Sequence, residues 1–441
     1  MPRRGRAADL AVAGLLFLLL LVGTACGSRL PESDFENRPD RTSGRTPARA
    51  TAEPIRVGIV TSATSPVGGD AFTGPRDGAK AYFDALNARG GIEGRRVEVR
   101  TCDDGGSGVG NNECVHRLID EDEVVALVAT TALDYAGASR VSHARVPDIG
   151  GQPIGAAYDT YPHLYGIYGS LAPRDGKPGW DGELYGGTEI YRYFKEKQGA
   201  RTAAVVSYNQ SASAAYARLV TRGLKAEGYR VVTEQVDFAL PNFRAAAADL
   251  KERGADLVFD AIDTYGNARL CEAMDDVGAK VLAKVTNVQN WTSTVREDYR
   301  KAPRCRNTLW ATGASRNYQD TQGKDTAHEA VREFRDGTEA LKTRSQWQVE
   351  GWAAAMWFTD AARSCLRTGV TRACVDRYLA TGKPYTAKGL LLPVRFARLP
   401  EPPRTRRTCL SVARWEDARG WVSQGDMDRQ CYDVPQLPYE P

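Results

Sequence analysis

The chain has 441 residues, of which 42% are hydrophobic and 26% are charged, and its formal net charge is +4. This length and apolar content suffice for two ordinary domains. Basic and acidic residues are interspersed along the whole chain, so its charge gives no support for a nucleic-acid partner.

The N-terminus has the layout of a secretory signal. Three arginines within the first six residues precede an apolar run from Leu10 to Val22, and small residues follow before Cys26. The run is shorter than the roughly 18 apolar residues of a membrane-spanning helix, and no comparably apolar segment follows it. We therefore predict that residues 1–25 are an export signal.

The sequence Gly-Thr-Ala-Cys that ends at Cys26 resembles the bacterial lipobox, in which a peptidase cuts just before a cysteine that becomes lipidated. Gly23 stands at the position that is usually Leu. We predict lipidation of Cys26, with an ordinary cleaved signal or an uncleaved anchor as the alternatives. Residues 26–53 are rich in Pro, Ser, Thr and charge, which predicts a disordered tether.

The remaining cysteines are even in number, which indicates disulfides in an exported protein. They are Cys102, Cys114, Cys271, Cys305, Cys365, Cys374, Cys409 and Cys431. Because they fall into four local pairs, we predict that they pair in sequential order. Metal binding is the alternative, but the sequence has no C-x-x-C and its four histidines are scattered.

From Ile55 onward, short β-rich runs alternate with helical patterns. Residues 55–60 and 97–99 predict strands, separated by a helix that ends at a Gly-Gly pair. A helix over about 111–120 follows. The continuous apolar run 124–128 is typical of a strand buried in a parallel sheet.

The same rhythm restarts after an irregular Gly- and Tyr-rich stretch from about 151 to 185. The predicted helices of this second series are 184–197, 214–227, 243–253 and 267–277. Its predicted strands are 203–206, 230–236, 257–262 and 281–285. Two β-α-β series separated by a break indicate an α/β protein with two lobes, each built on a mostly parallel sheet.

The C-terminal third, from about residue 308, is less regular. Its predicted strands are 308–312, 390–396 and 410–415, and its predicted helices are 327–342 and 351–366. The second of these helices is strongly apolar, and we interpret its stripe of Trp352, Met356 and Trp357 as core.

Motifs of the common enzyme classes are absent from the sequence. There is no G-x-x-x-x-G-K-[ST] phosphate loop, and the glycines of 105–110 lack dinucleotide spacing because Asn111 stands where the last glycine should be. Neither G-x-S-x-G nor H-E-x-x-H occurs, and four histidines leave few groups for acid–base catalysis. We therefore expect a binding protein without cofactor or metal ion, and not an enzyme.

The loops that follow the predicted strands suit a binding protein. In open α/β sheets, small ligands lie beyond the carboxyl ends of the strands, where loops offer backbone N–H groups and helix N-termini. Six loops at such positions carry polar, hydroxyl and aromatic groups. They are 61–70, 130–135, 150–158, 207–213, 263–267 and 286–291.

The ordered set of motifs resembles the type I periplasmic substrate-binding proteins, in the Leu/Ile/Val-binding branch that serves ABC importers. The most specific part is the segment Asn87-Ala88-Arg89-Gly90-Gly91-Ile92 with Cys102-Asp103-Asp104 downstream. The same family is also matched by three further stretches, which are IRVGIVTSATSPVG, VVALVATT and FRAAAADLKERGADLVFDAI. The resemblance covers nearly all of 54–400 and is thin afterwards.

This resemblance implies a bilobed fold whose chain crosses a hinge three times and closes over a ligand like a clamp. The crossings are expected near 168–172, 311–316 and 400–407. The N-terminal lobe would comprise 54–170 plus 311–400, and the C-terminal lobe 171–310 plus 401–441. A Cys409–Cys431 bridge would then tie down the terminal strand pair.

In the first lobe, the resemblance implies hydroxyls that hold a ligand carboxylate. Thr130 and Thr131 lie at that position, with Thr131 the first choice, and a helix N-cap is the alternative. Gln152 follows in the second carboxylate-binding loop, where Ile154 replaces the expected small hydroxyl.

In the second lobe, Asp263 and Tyr265 supply an acid and an aromatic side chain after one strand, while Asn287 replaces the acid expected after the next. Either Asp263 binds a ligand ammonium, or the ligand has none; a simple helix cap is the alternative reading of Asp263. Tyr208 is the expected stacking group of the remaining loop.

These implications predict a lipoprotein anchored to the outer face of the cell membrane. It would be a monomer that captures a small polar or amphipathic solute, an amino acid or a relative, for an ABC permease. The alternative is a sensory or scaffold lipoprotein of the same fold that signals to a protein partner.

Overall fold

The structure is a computed structural model that describes residues 53–66 and 69–440. The predicted export signal, Cys26 and all but the last residue of the predicted tether lie outside these residues. Within the described part, no helix has the length and apolar character needed to cross a membrane.

The strands of the described residues follow the predicted alternation. They are β1 (Ile55–Thr61), β2 (Val97–Asp103), β3 (Ala126–Val128), β4 (Asp148–Gly151), β5 (Leu164–Gly166), β6 (Leu184–Gly186), β7 (Thr202–Tyr208), β8 (Arg230–Val236), β9 (Leu257–Ala261), β10 (Ala283–Thr286), β11 (Leu309–Gly313), β12 (Thr405–Cys409), β13 (Ser411–Glu416), β14 (Gly420–Ser423), β15 (Cys431–Pro435) and β16 (Leu437–Tyr439).

The helices lie between these strands. They are α1 (Gly69–Ala88), α2 (Gly108–His116), α3 (Ala138–His143), α4 (Ala157–Thr160), α5 (Glu189–Gln198), α6 (Ser211–Ala226), α7 (Phe243–Glu252), α8 (Thr264–Val277), α9 (Val295–Asp298), α10 (Pro303–Arg306), α11 (Thr326–Gly337), α12 (Gln346–Ser364) and α13 (Arg372–Leu379).

Two sheets organise the molecule into two lobes. The first lobe has a five-stranded sheet in the order β2-β1-β3-β4-β5, and all its strands are parallel. The second lobe has a seven-stranded sheet in the order β14-β13-β11-β10-β9-β7-β8, whose outer strands β13 and β14 are antiparallel. β7 is buried along its whole length, as expected for a parallel sheet covered on both faces.

The core of the first lobe depends on close packing of α1 against α12. A Cβ atom at Gly78 would lie 1.9 Å from the carbonyl oxygen of Gln348, and one at Gly351 would lie 1.9 Å from that of Pro75. Glycine is therefore required on both helices. α12 begins earlier than the predicted residue 351, because Ser345 and Gln348 form a capping box.

The predicted core stripe on α12 is confirmed. Trp352, Met356 and Trp357 are all buried. Trp352 packs edge-on against Tyr82 of α1 and Phe334 of α11, so the three helices share one aromatic contact region.

Four disulfides join the eight remaining cysteines in the predicted sequential order. Cys102–Cys114 joins the end of β2 to α2, and Cys271–Cys305 joins α8 to α10. Cys365–Cys374 joins α12 to α13, and Cys409–Cys431 joins β12 to β15 in register. Each such bridge is worth about 2–4 kcal/mol of stability.

Three segments between the two sheets run side by side, and we call them the first, second and third connecting segments: 167–172 after β5, 314–316 after β11 and 390–399 before β12. The amide of Ser170 donates to the carbonyl oxygen of Arg395 at 3.0 Å, and that of Leu392 donates to Ala314 at 2.9 Å. The predicted strand 390–396 is wrong. This stretch makes only isolated bridges, because it pairs in turn with three different neighbours and contains Pro393, which has no N–H to donate.

The segment after β5 is held to the first lobe by Arg174. Its Nη2 donates to the carbonyl oxygens of Pro162 at 2.7 Å and Leu164 at 2.6 Å. Its guanidinium also lies over the rings of Tyr165 and Phe396. This contact lies beyond residue 171, where the sequence places the boundary between the lobes.

Candidate functional site

Two cavities lie where the lobes face each other, and we name them after their walls. The tyrosine cavity has a volume of about 760 Å³ and is lined by Tyr168, Tyr185, Tyr191 and Tyr216 among others. The threonine cavity has a volume of about 710 Å³ and is lined by Thr64, Thr73, Thr264 and Thr292 among others. The threonine cavity takes residues from both lobes, whereas the tyrosine cavity is lined by the second lobe and the segments that connect the lobes.

The tyrosine cavity lies beside the connecting segments and at the carboxyl ends of β9, β10 and β11. Tyr168 and Tyr216 expose 37% and 45% of their surface, and Phe259 of β9 contributes a further ring. The charged groups of the lining are Glu189 at the start of α5, Asp260 of β9, Arg395 in the third connecting segment, and Arg406 and Arg407 of β12. The cavity therefore combines an aromatic wall with ionic groups.

Three buried polar atoms of this cavity have no hydrogen-bond partner among the described residues. They are Oε2 of Glu189, Oγ1 of Thr286 and Nε2 of Gln436. Burial raises the pKa of Glu189, and the positive charge of Arg406 opposes that shift. Three of the thirteen such atoms in the described residues thus lie around this cavity, where a polar ligand could give each a hydrogen-bond partner.

A buried carboxyl group, that of Glu350 on α12, joins the lobe core to the connecting segments. It accepts hydrogen bonds from Ser315 Oγ at 2.8 Å, Gln152 Nε2 at 2.8 Å and the Tyr168 hydroxyl at 3.1 Å. Burial raises the pKa of Glu350 to about 7 despite these bonds, which lower it. Gln152, a predicted ligand residue, thus already has a protein partner.

The two predicted threonines of the first lobe are also engaged internally. Thr130 Oγ1 donates to Asp148 Oδ1 at 3.0 Å, and Thr131 Oγ1 donates to the carbonyl oxygen of Ala129 at 3.2 Å. Both threonines are buried, and neither lines the two cavities. Asp148 accepts two further bonds, from the hydroxyls of Tyr135 and Tyr158.

In the second lobe, the predicted residues divide between the cavities. Asp263 and Tyr265 line the threonine cavity, whereas Asn287 lines the tyrosine cavity. Asp263 caps α8 by accepting from Gly266 N at 2.7 Å, and it also accepts from the Tyr208 hydroxyl at 3.0 Å. Both readings of Asp263 therefore remain compatible with its position, and Tyr265 is exposed beside it.

Sequence reasoning missed the residues that give the tyrosine cavity its charge. Glu189 follows a Gly-Gly-Thr run that signals a helix start, but its side chain was not considered. Arg406 and Gln436 come from the C-terminal segment, where the resemblance to a known family is thin. Across the residues that the structure describes, no cluster of His, Cys, Asp or Glu is arranged to hold a metal ion.

Comparison with solved structures shows the same two-lobed fold. A branched-chain amino acid transporter substrate-binding protein from Streptococcus pneumoniae, solved with isoleucine, is 17% identical with a TM-score of 0.63 over 84% of this chain and 99% of that one. A fatty acid ABC transporter substrate-binding protein from Thermomonospora curvata is 15% identical with a TM-score of 0.62, over 86% of this chain and 92% of that one.

Sequence comparison places the chain in a family. No curated protein sequence gives a match. The family model described as periplasmic binding protein, however, matches residues 54–420. This match covers the first sheet, the connecting segments and the second sheet up to the start of β14, and it agrees with the predicted resemblance. The chain therefore belongs to the periplasmic binding protein family and has its two-lobed type I fold.

Proposed function

We propose that the protein is an extracytoplasmic receptor that captures a small solute between its lobes for an ABC importer. The observation that carries this proposal is the tyrosine cavity. Its volume of about 760 Å³ is within the usual range of small-molecule sites. Because the connecting segments line it together with the second lobe, a ligand there contacts the hinge and can bias the arrangement of the lobes.

The solute is a small polar or amphipathic molecule, such as an amino acid or a relative. The aromatic wall and the ionic groups of the lining support this choice. Cys26 is the proposed lipid anchor on the outer face of the cell membrane, and the receptor acts as a monomer. Lobe boundaries near 171, 311 and 401 belong to the same proposal; the separate sheets support a division into two lobes, and β11 of the second-lobe sheet extends to Gly313, past the proposed boundary at 311.

A thermal-shift screen of amino acids, amides and small organic acids tests the proposal. A solute that binds the folded protein stabilises it by mass action, by about 2.7 kcal/mol at a hundredfold excess over Kd. The melting temperature rises as a result. Small-angle scattering should then show a smaller radius of gyration with the same solute. A broad panel without any shift would contradict solute capture.

A sensory or scaffold lipoprotein is the second candidate, and one observation favours it. Thr130, Gln152 and Tyr208 all have partners within the protein, so the predicted ligand groups of the cleft are already used. This candidate requires that no solute changes the radius of gyration, and that a protein partner binds the lobes without solute.

A further inference from the structure

We propose that the tyrosine cavity binds an amphipathic organic anion, a carboxylate with an apolar body, whose anionic group lies between Arg395 and Arg406. The inference rests on the proposed function and specifies its solute. It concerns residues outside the set that the sequence predicted for the site.

The two arginines supply positive charge to the cavity from two different segments of the chain. Arg395 belongs to the connecting segment that bonds to Ser170, and Arg406 belongs to β12. Within the described chain, neither guanidinium donates a hydrogen bond or forms an ion pair, whereas neighbouring Arg407 pairs with Asp433 at 3.0 Å. An anion between them would draw the two segments together.

The acids of the described lining do not neutralise this charge. Asp260 is already bound to Lys284, whose Nζ lies 2.6 Å from its Oδ2 with both side chains fully buried. Glu189 is the other acid, so a single carboxyl group stands against the two arginines. Desolvation lowers the pKa of Arg406; Glu189 opposes this effect and Arg395 adds to it. The lining therefore keeps a net positive charge beside Arg395 and Arg406.

Two unpartnered donors complete an anion site. Nε2 of Gln436 and Oγ1 of Thr286 are buried at the cavity without a hydrogen-bond partner in the described residues. An amide N–H and a hydroxyl both donate, so each suits an anionic oxygen. Hydrogen bonds from guanidinium groups to a carboxylate are among the stronger ones in proteins.

The remainder of the wall selects an apolar body for the ligand. Tyr168, Tyr216 and Phe259 present rings to the cavity, and Leu392 and Val285 add aliphatic surface. A small inorganic anion would leave this apolar wall in contact with water. A zwitterionic amino acid would bring its ammonium to a region that is already positive. A carboxylate with an apolar body and no ammonium group matches both the cationic groups and the apolar wall of the cavity.

Calorimetric titration with a matched set of ligands tests the inference. The probes are 3-phenylpropionate and octanoate, with 3-phenylpropionamide and phenylalanine as analogues that lack the net negative charge. We expect the carboxylates to bind and the amide and the amino acid to bind at least about tenfold more weakly, because they lose charge-assisted hydrogen bonds or add a cation. Equal affinity for 3-phenylpropionate and its amide would overturn the inference.

Arginine variants locate the anionic group. Arg395→Gln and Arg406→Gln should each weaken carboxylate binding by about tenfold or more. Arg398→Gln is the matched control, because Arg398 is an exposed arginine of the same segment and lies outside the cavity lining; its affinity should be unchanged. Undiminished binding by folded Arg395→Gln and Arg406→Gln would contradict the assignment.

The results also separate this inference from the proposed function. If isoleucine binds and its affinity is unaffected by Arg395→Gln and Arg406→Gln, the receptor proposal stands and the anion site is wrong. If neither carboxylates nor amino acids bind, both the receptor proposal and the anion-site inference are wrong. Should a variant fail to fold, the wild-type comparison of carboxylate with amide still decides the point.

Discussion

The first-lobe framework and the tyrosine cavity treat buried polar groups in opposite ways. By framework we mean the carboxyl groups of Asp148 and Glu350, each of which accepts three side-chain donors. In the tyrosine cavity, Glu189, Thr286 and Gln436 keep atoms without partners in the described residues. A satisfied network specifies structure, whereas an unpartnered atom beside a cavity can gain a hydrogen bond from a ligand. The two carboxyl groups therefore belong to the scaffold, and the three unpartnered atoms mark where a ligand would add hydrogen bonds.

The largest expected effect is the loss of Asp148. Asp148→Ala leaves the donors of Thr130, Tyr135 and Tyr158 buried without an acceptor, and should lower the free energy of unfolding by at least about 3 kcal/mol. Urea denaturation measures this. Asp134→Ala, at an exposed acid in the same region, should change stability little. A mild effect of Asp148→Ala would mean that this network is not a framework.

The contact between α1 and α12 should be the next most sensitive. Gly78→Ala places a methyl group 1.9 Å from the Gln348 carbonyl oxygen, so the helices must separate at a cost of about 1–3 kcal/mol. Gly155→Ala is the control, because a Cβ there meets no atom within 4 Å. Thermal melts of both variants would measure the difference. Equal melting temperatures would contradict the packing described for the first lobe.

Glu350 should make stability depend on pH. Its pKa rises from 4.5 to about 7 in the folded state because it is buried, so the folded protein holds this proton more tightly. Its contribution to stability is then fully present below about pH 4.5 and is lost as the pH rises to about 7, by on the order of 3 kcal/mol. Urea midpoints at several pH values should show a shallower slope in Glu350→Gln. An unchanged slope would exclude Glu350 as its source.

The smallest expected effect concerns the threonine cavity. Asp263→Ala removes the cap of α8 and the acceptor of Tyr208, and should cost about 1 kcal/mol of stability. Because Asp263 does not line the tyrosine cavity, carboxylate affinity should be unchanged. A large loss of affinity would indicate that the ligand binds in the threonine cavity. The unpartnered atoms of the tyrosine cavity would then not mark the binding site.

Much of the fold could be predicted because its signals are local. The alternation of apolar strands with amphipathic helices gave both lobes, and short cysteine spacings gave the four disulfides. The predicted strand 390–396 was wrong because apolar side chains alone suit a strand. Pro393 and the succession of three different bridge partners prevent a continuous ladder.

The candidate site was harder to predict because the hydrogen bonds of its side chains and the walls of its cavity involve residues that are distant in the sequence. Gln152 is engaged by Glu350, 198 residues away in the chain, and no local pattern around Gln152 reveals that bond. The tyrosine cavity likewise joins α5, the third connecting segment and the C-terminal strands. Family motifs cover the loops of the cleft but not Arg406 or Gln436, so the charge of the cavity became visible only in three dimensions.

Native mass spectrometry of the purified protein tests the central claim most directly. We expect the wild-type protein to carry a small organic acid, Arg398→Gln to retain it, and Arg406→Gln to lose it. Retention of the same bound mass by Arg406→Gln would contradict the claim that the solute is held in the tyrosine cavity.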